Sequence, residues 1–129
     1  MVPVAAAIIL HNSKILIARR APHKFLGGLW EFPGGKIEVG ESPESCIERE
    51  LNEELQIKVE INAFLTEQYF DYGIFSVKLK VYVCRFLSGS LSLVDHDDVR
   101  WVDPENVLSY QLAPADVPIM EYYLLVSQQ

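Results

Sequence analysis

Residues 34–57 read GGKIEVGESPESCIERELNEELQI. Ser42-Pro43 inside this stretch has the chemistry of a helix start. It offers a hydroxyl N-cap, a proline at the first helical position, and Glu44 where the amide dipoles favour negative charge. Ile47, Leu51 and Leu55 recur every four residues, so the spacing predicts a helix to about Leu55 with one buried stripe. On such a helix Glu50, Glu53 and Glu54 stand at i, i+3 and i+4 and share a face. Three like charges repel there by a few tenths of a kcal/mol per pair. Arg49 offsets part of this by pairing with Glu53 or with a carboxylate of the preceding loop. A hard divalent cation would offset the rest, since Mg²⁺ takes carboxylate oxygens and is commonly shared with substrate phosphates. A solvated acidic face is the other reading of the charge pattern.

The flanking chain is read outward from this helix. Val4–Leu10 (VAAAIIL) is a buried strand, His11–Lys14 a hairpin turn, and Ile15–Ala18 its partner. A Gly- and Pro-containing loop spans 21–35, and Gly34-Gly35 offers conformations barred to other residues, bringing backbone close to a ligand. A strand region begins at Ile57, with Glu60 and Asn62 breaking its alternation. A hairpin over Tyr69–Phe86 turns at Asp71-Tyr72-Gly73, with Val77, Leu79, Val81 and Val83 on one face. Tyr82 and Cys84 mark the other face for cover by a helix. A short strand at 99–102, a helical turn at 104–108 and a helix over 117–127 complete an α/β pattern: a mixed sheet sandwiched between helices.

The 129 residues fit one domain, 1–129. No segment approaches the ~20 apolar residues that span a bilayer, and no basic leader precedes an apolar run. The net charge of −7 disfavours nucleic-acid polymers and anionic membranes as partners. Two cysteines, Cys46 and Cys84, are too few for a disulfide scaffold and point to a reduced, cytoplasmic protein.

Gly35, Glu41, Arg49-Glu50, Glu53-Glu54 and Ile57, with five residues between the first two and seven between Glu41 and Arg49, resemble the signature of the Nudix hydrolase family. Gln56 departs from it, standing where the pattern has a helix-ending glycine. No carboxylate is missing, and the helix is expected to run on or end without a left-handed cap. VAAAIIL, ILIARR, LWEFPGGKIE, Asp95-His96 before Trp101-Val102, and LAPADVP extend the likeness to the MutT group of nucleoside triphosphate pyrophosphohydrolases. LAPADVP is also similar to the cytidine triphosphate enzymes of that group.

The resemblance implies a Nudix fold and hydrolysis of (deoxy)nucleoside triphosphates to monophosphate and pyrophosphate, in nucleotide-pool sanitising. It implies Mg²⁺, with Mn²⁺ as a substitute, held by Glu50, Glu53 and Glu54 with a Gly34 or Gly35 carbonyl, and Asp95 from another element. Glu53 is the candidate general base, with Glu41 and Glu54 as alternatives, and Arg49 orients carboxylates. Arg20, Lys36 and Asp116 are the substrate-binding candidates. Asp116 would face the base as a hydrogen-bond acceptor, or cap the last helix. Cytidine-type or oxidised guanine nucleotides are both open. The alternatives are another Nudix substrate (a dinucleoside polyphosphate, nucleotide sugar or ADP-ribose) and a non-catalytic nucleotide-binding domain, in a monomer or homodimer.

Overall fold

The computed structural model describes residues 1–128. Strand β1 (Val2–His11) turns through Asn12-Ser13 into β2 (Lys14–Arg20). Both turn residues have positive φ, 50° and 65°, the backbone twist that joins antiparallel strands through a two-residue loop. Two short strands, β3 (Trp30–Glu31) and β4 (Gly34–Lys36), precede helix α1 (Pro43–Leu55). Then come the long hairpin of β5 (Ile57–Asp71) and β6 (Ser76–Gly89), β7 (His96–Val102), a 3-10 turn (Pro104–Ser109) and α2 (Asp116–Ser127). None of the helices described is long and apolar enough to cross a membrane.

The strands form a seven-stranded sheet ordered β3-β2-β1-β6-β5, with β4 on β1 and β7 on β2. β1 runs parallel to β6 and antiparallel to β2 and β4. Its residues alternate between two cores, which is why its sequence reads as a continuous apolar run. Ala6 and Ile8 meet Ile17, Leu79 and α2's Ile119 and Met120. Ala5, Ala7 and Ile9 meet Leu16, Cys84 and α1's Ile47, Leu51 and Leu55. The sheet therefore lies between two helices. The face of Tyr82 and Cys84 is the one α1 covers, and the Tyr82 hydroxyl donates to Glu44 at 3.2 Å.

Three features differ from expectation. β5 is one strand over 57–71, and its register against β6 slips at Lys58/Val59, Ile61/Ala63 and Phe64/Thr66. At the second and third slips Asn62 and Leu65 are the unpaired residues and reverse the facing of those beyond them, so the alternation of β5 fails without the strand ending; at the first the extra residue is Leu87 on β6. Second, α1 has its left-handed cap: Gln56 itself adopts φ 54°, ψ 47°, and its N–H donates to Asn52 O at 3.1 Å. β5 begins at the next residue, so the chain has to reverse within one residue whatever side chain is there. Third, Asp116 does not cap α2. Ala115 holds the N-cap position without a side-chain bond, and Asp116 is the first residue inside the helix.

Candidate functional site

The start of α1 forms as its sequence indicates: Ser42 Oγ accepts the Ser45 N–H at 3.1 Å. This fixes the rotation of the helix, and Arg49 becomes the hub of the acidic segment. Arg49 grips Glu41 with two bonds, from Nε at 2.7 Å and Nη2 at 3.0 Å. Its Nη1 donates to Glu50 at 2.9 Å and Glu53 at 3.3 Å, and its Nη2 also donates to the Lys36 carbonyl at 3.1 Å. This planar fork suits several carboxylates at once, which a lysine could not do. Those bonds, with the Glu38 N–H, hold the Glu41 carboxyl down at about 2.

Gly34 and Gly35 are extended, with no left-handed backbone, contrary to the conformational reason expected for them. They are glycines because of close approach. A Cβ on Gly34 would strike the Ala5 carbonyl, and one on Gly35 would overlap the Glu50 carboxyl.

Glu50 and Glu54 line one cleft of about 340 Å³, together with Gly34, Gly35, Lys36 and Asp95. Glu53 and Glu41 are not among its lining residues. Glu53 points outward, 59% exposed, with Arg49 as its contact. Asp95 reaches the cleft from the loop before β7 and pairs with Lys24 Nζ at 3.3 Å.

Two residues join the site that the motif did not assign to it, Glu31 and His96. Glu31 lies on β3 between buried Trp30 and Phe32, so strand alternation turns it away from their core and into the cleft. Its Oε1 accepts Arg20 Nη1 at 3.1 Å, and its Oε2 lies 2.8 Å from His96 Nε2. His96 Nδ1 lies 3.6 Å from Glu54 Oε2. The buried aromatics flanking Glu31 were a usable signal; His96 stood beside Asp95 in a stretch of the resemblance but was given no role there.

Burial pushes the Glu54 carboxyl well above the usual carboxylate range, and the charge of Glu50 beside it adds to the effect. Its ionised form therefore calls for positive charge. Among the described residues, Glu31, Glu54 and His96 have ligand atoms within 4.8 Å of one another, close enough to hold a cation, and the buried His96 Nδ1 has no hydrogen-bond partner; Glu50 and Asp95 add oxygens along the same cleft.

The other end of the cleft is aromatic. Phe25, Phe32, Tyr72 and Phe75 line it, with Asp116 at its floor. Asp116 is 5% exposed, and its Oδ2 accepts the Phe32 N–H at 3.1 Å. Burial, with the Glu31 charge nearby, lifts Asp116 to about 8. A carboxyl raised this far favours its protonated form, which can donate a hydrogen bond as well as accept one. Arg20 faces the cleft, while Arg19 on the opposite side of β2 pairs with Asp97 at 2.7 Å.

A family profile described as NUDIX domain matches residues 4–122. The chain belongs to the Nudix hydrolase family. It is 36% identical over 124 residues to the CTP pyrophosphohydrolase of Escherichia coli K12, covering 96% of this chain and 92% of that one. It is 32% identical to the putative 8-oxo-dGTP diphosphatase 2 of Mycobacterium tuberculosis H37Rv, covering 88% and 81%. The solution structure of the E. coli ORF135 protein superposes with a TM-score of 0.87 at 35% identity, covering 98% of this chain and 91% of that one. This Nudix chain is an enzyme, a hydrolase related to pyrophosphohydrolases and diphosphatases. Burial raises its Cys46 thiol to about 11, which disfavours the thiolate a nucleophile needs.

Proposed function

We propose that this Nudix enzyme hydrolyses nucleoside triphosphates to monophosphate and pyrophosphate with Mg²⁺, Mn²⁺ substituting, and prefers cytidine-type nucleotides. The observation that carries the reading is the continuity of one cleft from the Glu50 and Glu54 carboxylates to the aromatic end floored by Asp116. The phosphate chain would lie at the acidic end and the base at the other.

Glu50, Glu54 and Asp95, with a Gly34 or Gly35 carbonyl, would hold the cation. When bound, Mg²⁺ neutralises the phosphates and lowers the pKa of an attacking water. Arg49 keeps Glu50 at its place and restrains Glu53. Glu53 is the proton acceptor in this reading; its one long contact and its exposure let it turn toward the cleft. Lys36 and Arg20 would steady phosphate and sugar from opposite sides.

A protonated Asp116 would donate from one oxygen while the carboxyl still accepts. Cytosine offers the complement, an amine beside an unprotonated ring nitrogen, on a single ring. The names of the relatives support a nucleotide substrate and leave oxidised dGTP as the second candidate. A role in cleansing the nucleotide pool fits an oxidised or otherwise modified nucleotide as the substrate. The free, buried Cys46 and Cys84 support a reduced, cytoplasmic setting for one catalytic domain spanning 1–129.

The test is pyrophosphate release from the eight common nucleoside triphosphates, oxidised dGTP and methylated dCTP, compared by kcat/KM. A lead for cytidine nucleotides supports the proposal. A tenfold lead for purines defeats the base assignment, and activity on ADP-ribose or dinucleoside polyphosphates alone defeats the triphosphate assignment.

A further inference from the structure

We propose that His96 Nδ1 is a metal ligand, oriented by Glu31, and that with Glu54 it makes a nitrogen-containing cation position favouring Mn²⁺ over Mg²⁺. The inference rests on the acidic face of α1 being metal-bearing, and it adds a donor that the box of carboxylates lacks.

The His96 side chain is 2% exposed at the start of β7. Its Nε2 lies 2.8 Å from Glu31 Oε2, and in the tautomer that carries its proton there the ring is fixed and Nδ1 keeps a bare lone pair. That lone pair faces Glu54 Oε2 at 3.6 Å, and Nδ1 has no hydrogen-bond partner. The separation is too long for a direct hydrogen bond. A buried nitrogen left without a partner is costly, and a cation shared with the neighbouring carboxyl would relieve it. Two donors each about 2.1 Å from one cation stand roughly 3.0–3.4 Å apart at neighbouring positions, so the pair needs to close by only a few tenths of an ångström to share an ion.

Glu31 completes the arrangement without being a ligand itself. Its Oε1 takes the Arg20 guanidinium and its Oε2 takes the imidazole N–H. A carboxylate behind a histidine is the usual support for an imidazole that binds metal through its other nitrogen. One nitrogen among oxygens shifts preference away from Mg²⁺, which wants an all-oxygen shell, toward Mn²⁺ and later transition ions.

The test is pulsed electron paramagnetic resonance of the full chain with Mn²⁺ alone, prepared unlabelled and with ¹⁵N-histidine. The chain has three histidines, His11, His23 and His96. His11 lies at the hairpin turn and His23 is exposed in the loop after β2, both outside the cleft lining. The expected result is coupling to a directly bound nitrogen that changes with the label and disappears in His96→Gln. The variant should also lose roughly tenfold or more in Mn²⁺ affinity, with a smaller loss for Mg²⁺. Bound Mn²⁺ with oxygen ligands only, in a wild type that still releases pyrophosphate with Mg²⁺, overturns the histidine ligand alone. Coupling that survives in His96→Gln also overturns it. Failure of Mn²⁺ to bind at all overturns both this position and the metal-bearing face beneath it. The labelled wild type gives its answer even if the variant does not fold.

Discussion

Asp116 Oδ2 takes the backbone N–H of Phe32 across 84 residues of sequence, tying the first turn of α2 to the floor of the cleft. The bond leaves the other oxygen free in a buried site that favours the protonated carboxyl. Asp116→Asn keeps the shape and the acceptor but replaces the titrating O–H by a permanent amide N–H donor. We expect it to reorder base preference by about 5- to 100-fold, the range a single unpaired hydrogen bond supplies. Unchanged kcat/KM ranking across the nucleotide panel would remove Asp116 from base selection.

The same residue makes a statement about stability. Its folded pKa of about 8 lies above its unfolded value near 4, so only the native state keeps the proton between them. Stability contributed by the protonated form is thus lost as pH rises from about 4 to 8. Asp116→Asn should flatten this fall and gain at least about 1 kcal/mol over wild type at pH 8. Urea unfolding at pH 5 and pH 8 measures the difference. Glu54 has a shift of the same sign but is present in both proteins, so parallel slopes would contradict the assignment to Asp116.

Glu54→Gln removes a buried carboxyl that the fold keeps from ionising until positive charge is beside it. Turnover at saturating Mg²⁺ should fall by roughly 100-fold or more. Melting temperature without added metal should stay level or rise, because burial and Glu50 both oppose the ionised carboxylate. Near-normal turnover would sink the role given to Glu54, and a collapse in stability would show that the charge is structural.

Gly35→Ala places a methyl group where the Glu50 carboxyl lies. The carboxylate has to move away from Arg49 and the cleft, and metal affinity should drop about tenfold, the scale set by disturbing a ligand's support. Isothermal titration with Mn²⁺ reads this directly, and unaltered affinity would mean that Glu50 is not a ligand.

Gln56→Gly should stabilise the protein by about 1 kcal/mol, because glycine takes the left-handed cap without a Cβ penalty. The Gln56 side chain accepts one exposed bond from Ser92 Oγ at 3.0 Å, whose loss subtracts little. Equilibrium unfolding of the two proteins decides it; no gain would mean that the side-chain bond offsets the strain.

What could be read from the sequence were features whose causes are local. Ser42-Pro43 announces α1, the four-residue spacing of Ile47, Leu51 and Leu55 gives its buried face, and the apolar run of β1 gives a strand covered on both sides. The left-handed Gln56 was not legible because its cause is the immediate start of β5. The facing of His96 depends on the irregular pairing of β2 with β7, where the register shifts between Arg19 and Arg20 and sets Arg20 opposite His96. Nothing near His96 in the chain encodes that shift. Likewise, Glu53 and Glu54 are neighbours on one helix but stand about 100° apart around its axis, which leaves Glu53 exposed beside Arg49 and turns Glu54 into the cleft.

The parallel pairing of β1 with β6 also governs the order in which the molecule can assemble. Val2 pairs with Val77 and Leu10 with Arg85, whereas the hairpin to β2 closes within a few residues of synthesis. The middle of the sheet therefore cannot close until Arg85 has emerged from the ribosome. Until then the strand that will be the most deeply covered presents an open edge. Such distant pairing slows folding, because the loop must be closed before its contacts contribute. The waiting edge is also where a nascent chain of this topology is most open to pairing with a second copy or to capture by a chaperone.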